Sequence, residues 1–431
     1  MVPDHVNYKI VQDFELPRMF RARQNFPRDR VEDIEGVVKA ELDKLSLPDL
    51  AGKRIALTGG SRGVDNQARI LKAVAGWLKA KDAKPFIVPG MGSHGGATAE
   101  GQKELLASYG ITEDAIGVPV LATMEVVQLG TTDSGFPVFC DRNAAEADYI
   151  LPVHRIKPHT AFKGAMESGP SKMMVIGLGK HEGATRIHAL GFAVFPTLIP
   201  EAAQIFLNTG RILAAVGIVE NAYDQTMIIE GIPTDRLFER ERALLAVSKK
   251  TMARLRLDYV DVLVIEELGK DISGGGMDSN ITGRPASGLM DGFDILCPIN
   301  RIAVLGISEL SHGNAVGMGL SDVITLDFAR QIDFGSTYIN CITSRMSSSA
   351  KMPMVANHDK DAIRLATVFC LGLDPAKAKV AQIVSTLHLS ELSLSENYLD
   401  LVKNDASFEI LSEPAPMQFD AANRLARLPR H

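Results

Sequence analysis

The chain has 431 residues, of which 46% are hydrophobic and 23% charged, and its formal net charge is -6 at pH 7. This is the composition of an ordinary globular protein, and the weakly acidic balance argues against nucleic acid or an anionic membrane as a partner. The length exceeds what one compact core accommodates and predicts two domains.

The cysteines and the N-terminus indicate the cellular compartment. Four cysteines lie far apart, each in or beside an apolar run: Cys140, Cys297, Cys341 and Cys370. This placement favours buried, reduced thiols over a disulfide framework or a metal knuckle. The first twenty residues carry acids and prolines where a signal peptide needs an apolar run, and no stretch has the length of a membrane span. We therefore expect a cytoplasmic protein.

The first part of the chain predicts two consecutive units of strand, loop and helix. Residues 31–47 space their apolar side chains as a helix does and end before Pro48. KRIALTGG (53–60) predicts a buried strand that leads into a loop and an amphipathic helix, and PFIVPGMGSHGGAT (85–98) begins the same order again. Such units are typical of an α/β fold with parallel sheets covered by helices, whose sites lie at the carboxyl ends of the strands.

Both of these loops carry candidate site residues. GGSRG (59–63) offers backbone amides and Arg62, but it lacks the GxGxxG spacing of a dinucleotide loop, so we predict no NAD site. In the second loop His94 stands among glycines, with Gly95 and Gly96 directly after it. A histidine among glycines gains little from packing, and its position on a strand-end loop favours a functional role.

Residues 151–192 hold the densest group of proton carriers and cations in the sequence. They include four of the ten histidines and four lysines: His154, His159, His181, His188, Lys157, Lys163, Lys172 and Lys180. Lysines and glycine-loop amides suit an anion, whereas histidines suit acid–base chemistry near neutral pH or metal ligation. The spacing does not match HExxH, so zinc hydrolase chemistry is weakly supported. The residues predict a site and leave its chemistry open.

The second half of the chain predicts another α/β domain. Residues 234–258 form an amphipathic pattern with mixed charges, which indicates a solvated connecting helix. DYVDVLVIEEL (258–268) predicts a strand and precedes the glycine-rich loop 269–285, where Lys270 is a candidate ligand contact. We expect domains at 1–250 and 258–400, and a polar tail at 401–431 that packs back on the first domain.

The run PHTAF…SGPSKMMVIG…ATRIH resembles the cofactor segment of the nickel-dependent lactate racemase family, the nickel-pincer-cofactor isomerases. In that family a Pro-His pair is followed by a loop rich in glycine and serine, a lysine that tethers the pincer nucleotide, and a histidine that ligates nickel. The resemblance places these roles on His159, Lys172 and His188. It also implies that Ser168 and Gly169 contact the cofactor.

The resemblance extends to the two strand-end loops. It implies that His94 and His159 are the paired acid–base catalysts, that Arg62 holds the substrate carboxylate, and that Gly95 and Gly96 contact the cofactor. Two departures are visible: the loop between His159 and Lys172 is a few residues longer than in lactate racemases, and Gly59 replaces an acid. The second departure favours a larger or more polar hydroxy acid than lactate.

The implied protein is a two-domain α/β racemase or epimerase with its active site in the interdomain cleft. It would act on an α-hydroxy acid by reversible hydride transfer to a nickel-pincer nucleotide. Enzymes of cofactor synthesis would be its partners, Lys270 would be a second-domain substrate contact, and an oligomer is compatible with the sequence. The residues alone leave two alternatives open: a phosphate- or nucleotide-binding protein without redox chemistry, and a metal-assisted lyase or hydrolase.

Overall fold

A computed structural model describes residues 3–8 and 14–430. The chain divides into two compact units. One unit, called here the N-terminal unit, is Pro27–Met252. The other, called the C-terminal unit, combines the described residues up to Phe26 with those from Ala253 onwards. Both units are mixtures of strands and helices, so the predicted α/β class is confirmed.

The strands are short, with three to seven residues each. In chain order they are β1 (Met19–Gln24), β2 (Arg54–Gly59), β3 (Lys84–Pro89), β4 (Val126–Thr131), β5 (Pro137–Asp141), β6 (Tyr149–Leu151), β7 (Val153–Arg155), β8 (Ala215–Glu220), β9 (Thr226–Ile232), β10 (Val260–Ile265), β11 (Ile299–Val304), β12 (Val323–Thr325), β13 (Met354–Ala356), β14 (Val380–Ile383), β15 (Glu391–Ser395) and β16 (Phe408–Ile410).

The helices connect these strands. In chain order they are α1 (Ile34–Asp43), α2 (Gln67–Lys79), α3 (Ala99–Ser108), α4 (Glu113–Ile116), α5 (Arg142–Ala145), α6 (Pro170–Lys172), α7 (Lys180–Ala189), α8 (Phe195–Asn208), α9 (Leu237–Thr251), α10 (Ser279–Thr282), α11 (Leu326–Gln331), α12 (Phe334–Ser344), α13 (Asp359–Val368) and α14 (Leu399–Asn404). A π-helical turn, Met173–Gly177, follows α6 directly.

The N-terminal unit is built on small sheets. The parallel sheet β3-β2-β6 carries the two predicted loops, because β2 and β3 run in register from Arg54 beside Lys84 to Gly59 beside Pro89. Helix α2 packs on this sheet through apolar residues at helical spacing, and Ile70, Val74 and Leu78 are fully buried. The carboxyl ends of β2 and β3 therefore lie side by side, which brings their loops together.

The chain changes sheets between β6 and β7. β6 pairs with β2, and β7 pairs with β8 in the separate sheet β7-β8-β9. Pro152 stands between the two strands and has no N–H to offer either ladder. The Val153 N–H donates to Thr58 Oγ1 at 2.9 Å, which joins the start of β7 to β2. This crossing delivers residues 154–159 to the carboxyl end of β2.

The C-terminal unit contains one eight-stranded sheet in the order β13-β12-β11-β10-β14-β15-β1-β16. The first five strands in this order pair in parallel. The remaining neighbouring pairs, β14-β15, β15-β1 and β1-β16, are antiparallel. Strand β1 lies between β15 and β16, with Met19 beside Ser395 and Gln24 beside Phe408. The described residues before Pro27 therefore belong to the C-terminal unit, whereas the sequence predicted a first domain over residues 1–250.

The tail also differs from its prediction. Leu425 is buried in the core of the C-terminal unit together with Val262 and Val380, and the Leu428 N–H donates to Glu266 Oε1 at 2.8 Å. The tail therefore packs on the unit that precedes it in the chain. The two buried leucines of the tail, Leu425 and Leu428, stand among polar residues. Their spacing shows neither the period of a helix nor that of a strand, so the sequence did not predict their burial.

Helix α9 is more buried than a connecting helix. Leu237, Glu241, Leu244, Leu245 and Ser248 follow helical spacing and are buried in the N-terminal unit. The charges that suggested a solvated helix lie mostly on its other faces. Strand β9 pairs antiparallel with β8 beside this helix.

Two expectations from the sequence concern thiols and membranes. All four cysteines are unpaired by disulfides and buried, as predicted. Within residues 3–8 and 14–430, no single helix combines the length and apolar character needed to cross a membrane. One bent pair, Lys180–Ala189 with Phe192–Asn208, meets those criteria when taken together and is bent by 98°.

Replacing Leu425 by alanine tests the position of the tail. Because this side chain is 6% exposed within the C-terminal core, we expect Leu425→Ala to lower the free energy of unfolding by about 2–5 kcal/mol in urea denaturation. The control is Leu371→Ala, whose side chain is 91% exposed and whose effect should stay within about 0.5 kcal/mol. Equal, small effects of both substitutions would show that the tail does not contribute to the core.

Candidate functional site

His94 lies on the loop after β3 and is exposed. Its Nδ1 lies 2.7 Å from the Met91 carbonyl oxygen, and because that oxygen only accepts, Nδ1 carries the proton. In the neutral ring the lone pair is therefore on Nε2. Gln102 of α3 holds the loop by donating from Nε2 to the carbonyl oxygens of Gly92 at 2.9 Å and His94 at 3.2 Å. The His94 ring is thus oriented as a proton acceptor.

Lys180, which the sequence grouped with the site cations, is buried away from solvent. Its Nζ donates to the Pro89 carbonyl oxygen at 2.9 Å and to Gln102 Oε1 at 2.6 Å, and it lies 3.3 Å from Asp141 Oδ2. Burial lowers the pKa of Lys180 and raises that of Asp141, and their mutual attraction opposes both shifts. This lysine joins α7 to the His94 loop and serves the fold. His181, the next residue, is exposed.

His159 lies in the loop after β7 and has the opposite tautomer to His94. The Ala161 N–H donates to His159 Nδ1 at 3.0 Å, so the proton of the neutral ring is on Nε2. Burial places the pKa of His159 well below its usual range, and the nearby Lys172 and Lys163 lower it further. The ring is therefore neutral near pH 7 and presents a donor.

Glu167 organises the loop that carries His159. Its side chain is fully buried and accepts from the His159 N–H at 2.7 Å, from Lys163 Nζ at 3.2 Å and from Lys249 Nζ at 2.5 Å. Lys163 Nζ also donates to the His159 carbonyl oxygen at 2.7 Å. The sequence analysis missed this residue, although it is the one acid between Lys157 and Lys172.

An aromatic cluster of Phe162, Phe192 and Phe195 brings His159 and His188 to one place. The His159 ring centroid lies 4.5 Å from that of Phe162 and 6.0 Å from that of Phe192. The His188 ring meets Phe192 edge-on at 5.5 Å and Phe195 at 5.3 Å. Both imidazoles therefore pack on the ring of Phe192. This cluster was not predicted, because Phe162 lies in a loop, Phe192 lies between α7 and α8, and Phe195 begins α8.

His188 lies in the last turn of α7, and its Nδ1 is 2.6 Å from the Ala184 carbonyl oxygen. Nδ1 therefore donates, and Nε2 carries the lone pair that a metal ion requires. Burial lowers the pKa of His188, and the Ala184 contact opposes this shift while the Lys172 charge adds to it. The ring is thus oriented and neutral, as a metal ligand must be.

Lys172 ends α6 and lies at the centre of the site's positive charge. Burial lowers the pKa of its amine to about 7, with further lowering by Arg62 and Lys157 and an opposing effect of Glu167. Half of the amines are therefore neutral and nucleophilic near pH 7. Burial also lowers the pKa of Arg62, and Arg155 adds to this effect.

The start of α6 is fixed by a buried carboxyl group on α9. Ser171 donates to Glu241 Oε2 from its hydroxyl at 2.6 Å and from its N–H at 3.1 Å. Burial raises the pKa of Glu241 to about 7. A Cβ at position 169 would lie 2.3 Å from Glu241 Oε1, so a larger residue there would displace the Glu241 side chain. The sequence missed this contact because it joins residues seventy positions apart.

The other predicted cofactor contacts have local structural roles. Gly95 and Gly96 both have a φ of +65°, and a Cβ at Gly95 would lie 2.6 Å from the Gln102 nitrogen. Position 96 has open space around it. The Ser168 carbonyl oxygen accepts from the Lys157 N–H at 3.1 Å. Cofactor contact at Gly95, Gly96, Ser168 and Gly169 stays a prediction.

Lys270 lies in the C-terminal unit. Its Nζ donates to the Gly274 carbonyl oxygen at 3.0 Å, and its N–H donates to Ser311 Oγ at 2.6 Å. These contacts hold the glycine-rich loop after β10. Its predicted role as a substrate contact is not tested by them, and the predicted interdomain cleft also stays a prediction.

The N-terminal unit thus brings together Arg62, Lys157, His159, Lys172 and His188. Buried like charges lower one another's proton affinity, and a bound anion relieves this repulsion. The described part of the chain has no group of three or more His, Cys, Asp or Glu side chains arranged to hold a metal ion. A metal bound at His188 would need its remaining ligands from another molecule.

Comparison with known proteins identifies the fold around this site. Residues 20–196 match the family model described as the lactate racemase N-terminal domain. This segment is similar to the lactate racemase N-terminal domain. The lactate-racemase-like segment contains Arg62, His94, His159, Lys172 and His188, and it ends within the first turn of α8.

One solved structure supports the same fold over most of the chain. The lactate racemase apoprotein from Thermoanaerobacterium thermosaccharolyticum matches with a TM-score of 0.52 and 15% sequence identity. The match covers 85% of this chain and 94% of that one. No curated protein matches the chain by sequence. At this identity the structural match establishes the fold and no more.

The low pKa of Lys172 has a direct test. We expect acetic anhydride to acetylate Lys172 with a rate that reaches half its maximum near pH 7, because only the neutral amine reacts. Peptide mass spectrometry across pH 5–10 measures the rate, and exposed Lys250 on α9 serves as the reference. A Lys172 rate that keeps rising above pH 9 together with that of the reference would contradict the assignment.

Proposed function

We propose that the protein is a racemase or epimerase of an α-hydroxy acid that uses a nickel-pincer nucleotide. One observation carries this proposal: His159 and His188 both pack on Phe192, close enough to Lys172 for its charge to lower the pKa of both, within a segment that matches the lactate racemase N-terminal domain. The neutral amine of Lys172 and the oriented ring of His188 are the two groups that this cofactor requires. A cytoplasmic location and an oligomeric assembly remain part of the proposal.

The residues present fit the cofactor. His188 would bind nickel through Nε2, because Nδ1 is committed to the Ala184 carbonyl. Lys172 would tether the nucleotide, because its amine is half neutral near pH 7. Lys157 would contribute positive charge toward the phosphate. When bound, the nickel-pincer nucleotide supplies a pyridinium carbon that accepts and returns a hydride.

The two catalytic imidazoles have complementary tautomers. His94 carries its lone pair on Nε2 and would take the proton of the substrate hydroxyl as general base. His159 carries its proton on Nε2 and would donate a hydrogen bond to the oxygen of the resulting carbonyl group. Reaction of the opposite enantiomer requires the two rings to exchange these roles. Arg62 would hold the substrate carboxylate with two parallel hydrogen bonds, and the keto acid would stay bound while it turns.

The same cations also suit a function without redox chemistry. Arg62, Lys157 and Lys172 would bind a phosphate or nucleotide whether or not nickel is present, because their mutual repulsion favours any anion. A metal-assisted lyase or hydrolase is less well supported, because it needs several protein ligands around a hydrated metal. The described residues offer no such group.

Native mass spectrometry with metal analysis separates these functions. The protein should be co-produced with the enzymes of cofactor synthesis, and we expect a mass increment of a nickel-containing nucleotide. An increment that survives denaturation would support a covalent bond to Lys172, and one lost on denaturation would support a non-covalent cofactor. Absence of both nickel and increment despite cofactor supply would favour the anion-binding function.

Histidine variants test the individual roles. We expect His188→Ala to lower the nickel content per chain by at least about tenfold, because it removes a metal ligand. His94→Ala and His159→Ala should retain nickel and lower kcat by about 10²- to 10⁴-fold, because each removes a proton-transfer group. His181→Ala is the control, since that side chain is exposed on the same helix as His188. Retention of nickel by His188→Ala would remove the ligand assignment.

A further inference from the structure

Two polar side chains converge on Gly60, between β2 and Arg62. His154 comes from β7, and Gln67 begins α2. A Cβ at position 60 would lie 3.4 Å from both Nδ1 and Cε1 of His154 and 3.5 Å from Nε2 of Gln67. The ring edge of one residue and the amide of the other therefore face the same small space, which exists because residue 60 has no side chain.

Both side chains carry a buried polar atom without a hydrogen-bond partner. These atoms are His154 Nδ1 and Gln67 Oε1, and Gln67 as a whole is only 4% exposed. Buried polar atoms are rarely left unsatisfied, because desolvation then costs more than the fold gains from burying them. The unsatisfied Nδ1 of His154 faces this space together with the amide Nε2 of Gln67, and this pair of atoms indicates a polar group that binds between them.

The chemistry of this space selects a neutral group. The amide of Gln67 is uncharged, and burial, with Lys172 and Arg155 nearby, lowers the pKa of His154 to about 3. At physiological pH both side chains are therefore neutral. A hydroxyl group both donates and accepts, so it can accept from the amide nitrogen of Gln67 and pair with the imidazole nitrogen of His154. A carboxylate offers no donor, and the neighbouring cations suit it better.

The space also lies next to the residues that carry the proposed function. Gly60 precedes Arg62 by two residues, and His154 is close enough to Lys172 for the lysine charge to lower its proton affinity. The Gly60 space and the proposed carboxylate contact at Arg62 therefore belong to the same loop after β2. His154 and Gln67 have no part in the proton transfers assigned to His94 and His159.

We propose that His154 and Gln67 bind a hydroxyl group that the substrate carries beyond its α-carbon. The substrate class is then the hydroxy acids with two or more hydroxyl groups, and lactate, which has a methyl group at that position, is a poor substrate. This inference rests on the proposed function and specifies its substrate. A ribose hydroxyl of the nucleotide has the same chemistry and is the other source that an experiment must distinguish.

The test compares glycerate and gluconate with lactate on the cofactor-loaded enzyme. Glycerate differs from lactate by one hydroxyl group on carbon 3. A site built to bind a hydroxyl discriminates against an analogue without it by about 10⁴-fold, and we expect kcat/KM for the better polyhydroxy acid to exceed that for lactate by at least about 100-fold. Adding that acid, but not lactate, should also shift the imidazole ¹⁵N resonances of His154.

Two variants remove the proposed contact. Gln67→Met keeps the length of the side chain and removes its polar atoms. Gly60→Ala places a methyl group in the space at ordinary contact distance, and its backbone needs no positive φ, so the protein should fold. Each variant should lower kcat/KM for the polyhydroxy acid at least tenfold and leave that for lactate within about threefold. Gly76→Ala, on α2 with open space around it, is the matched control.

The outcomes separate the failure of this inference from that of the proposed function. Equal use of lactate and the polyhydroxy acids, unchanged in both variants, would overturn the hydroxyl site and leave the racemase proposal standing. Loss of the bound nucleotide from Gln67→Met, seen by native mass spectrometry, would overturn the substrate assignment in favour of the ribose. Conversion of no hydroxy acid by the loaded wild-type enzyme would overturn the proposed function and this inference together.

Discussion

One buried carboxylate, Glu167, holds the candidate site together. It accepts hydrogen bonds from the backbone of His159 and from the side chains of Lys163 and Lys249, so the loop and α9 are joined through it. Its charge also opposes the effects of burial and of Arg62 on the Lys172 amine. Without this anion, Lys163, Lys249 and Lys172 would lose a negative charge that stabilises their ammonium groups. Glu167 therefore limits how far the pKa of Lys172 falls and also fixes the shape of the His159 loop.

A second buried carboxylate connects the two halves of the site. Asp141 pairs with Lys180, and Lys180 reaches Gln102, which in turn holds the backbone of the His94 loop. The helix that carries His188 begins at this lysine. His94, the proposed base, and His188, the proposed metal ligand, are thus fixed to one buried ionic network, so we expect a change at Asp141 or Lys180 to affect both sides of the site.

The sequence revealed local features better than distant pairings. Strands β2 and β3 and helix α2 were predicted because their apolar runs and periodic spacing lie within a few residues. Strand β1 was missed because its partners lie almost four hundred residues away, and nothing in Met19–Gln24 identifies them. Lys180 was grouped with the site because a sequence shows a charge but not the carbonyl and carboxylate oxygens around it. The assembly around Phe192 depends on how α7 turns into α8, which spacing alone does not determine.

The position of β1 has a consequence for how the protein forms on the ribosome. This strand is synthesised before the whole N-terminal unit, yet it lies between β15 and β16, which follow that unit in the chain. The N-terminal unit is complete in sequence at Met252 and can fold while the rest is still being made. During that interval the strands that pair with β1 have not yet been synthesised. The late closure of the eight-stranded sheet is thus the step at which an interrupted chain is most exposed to aggregation.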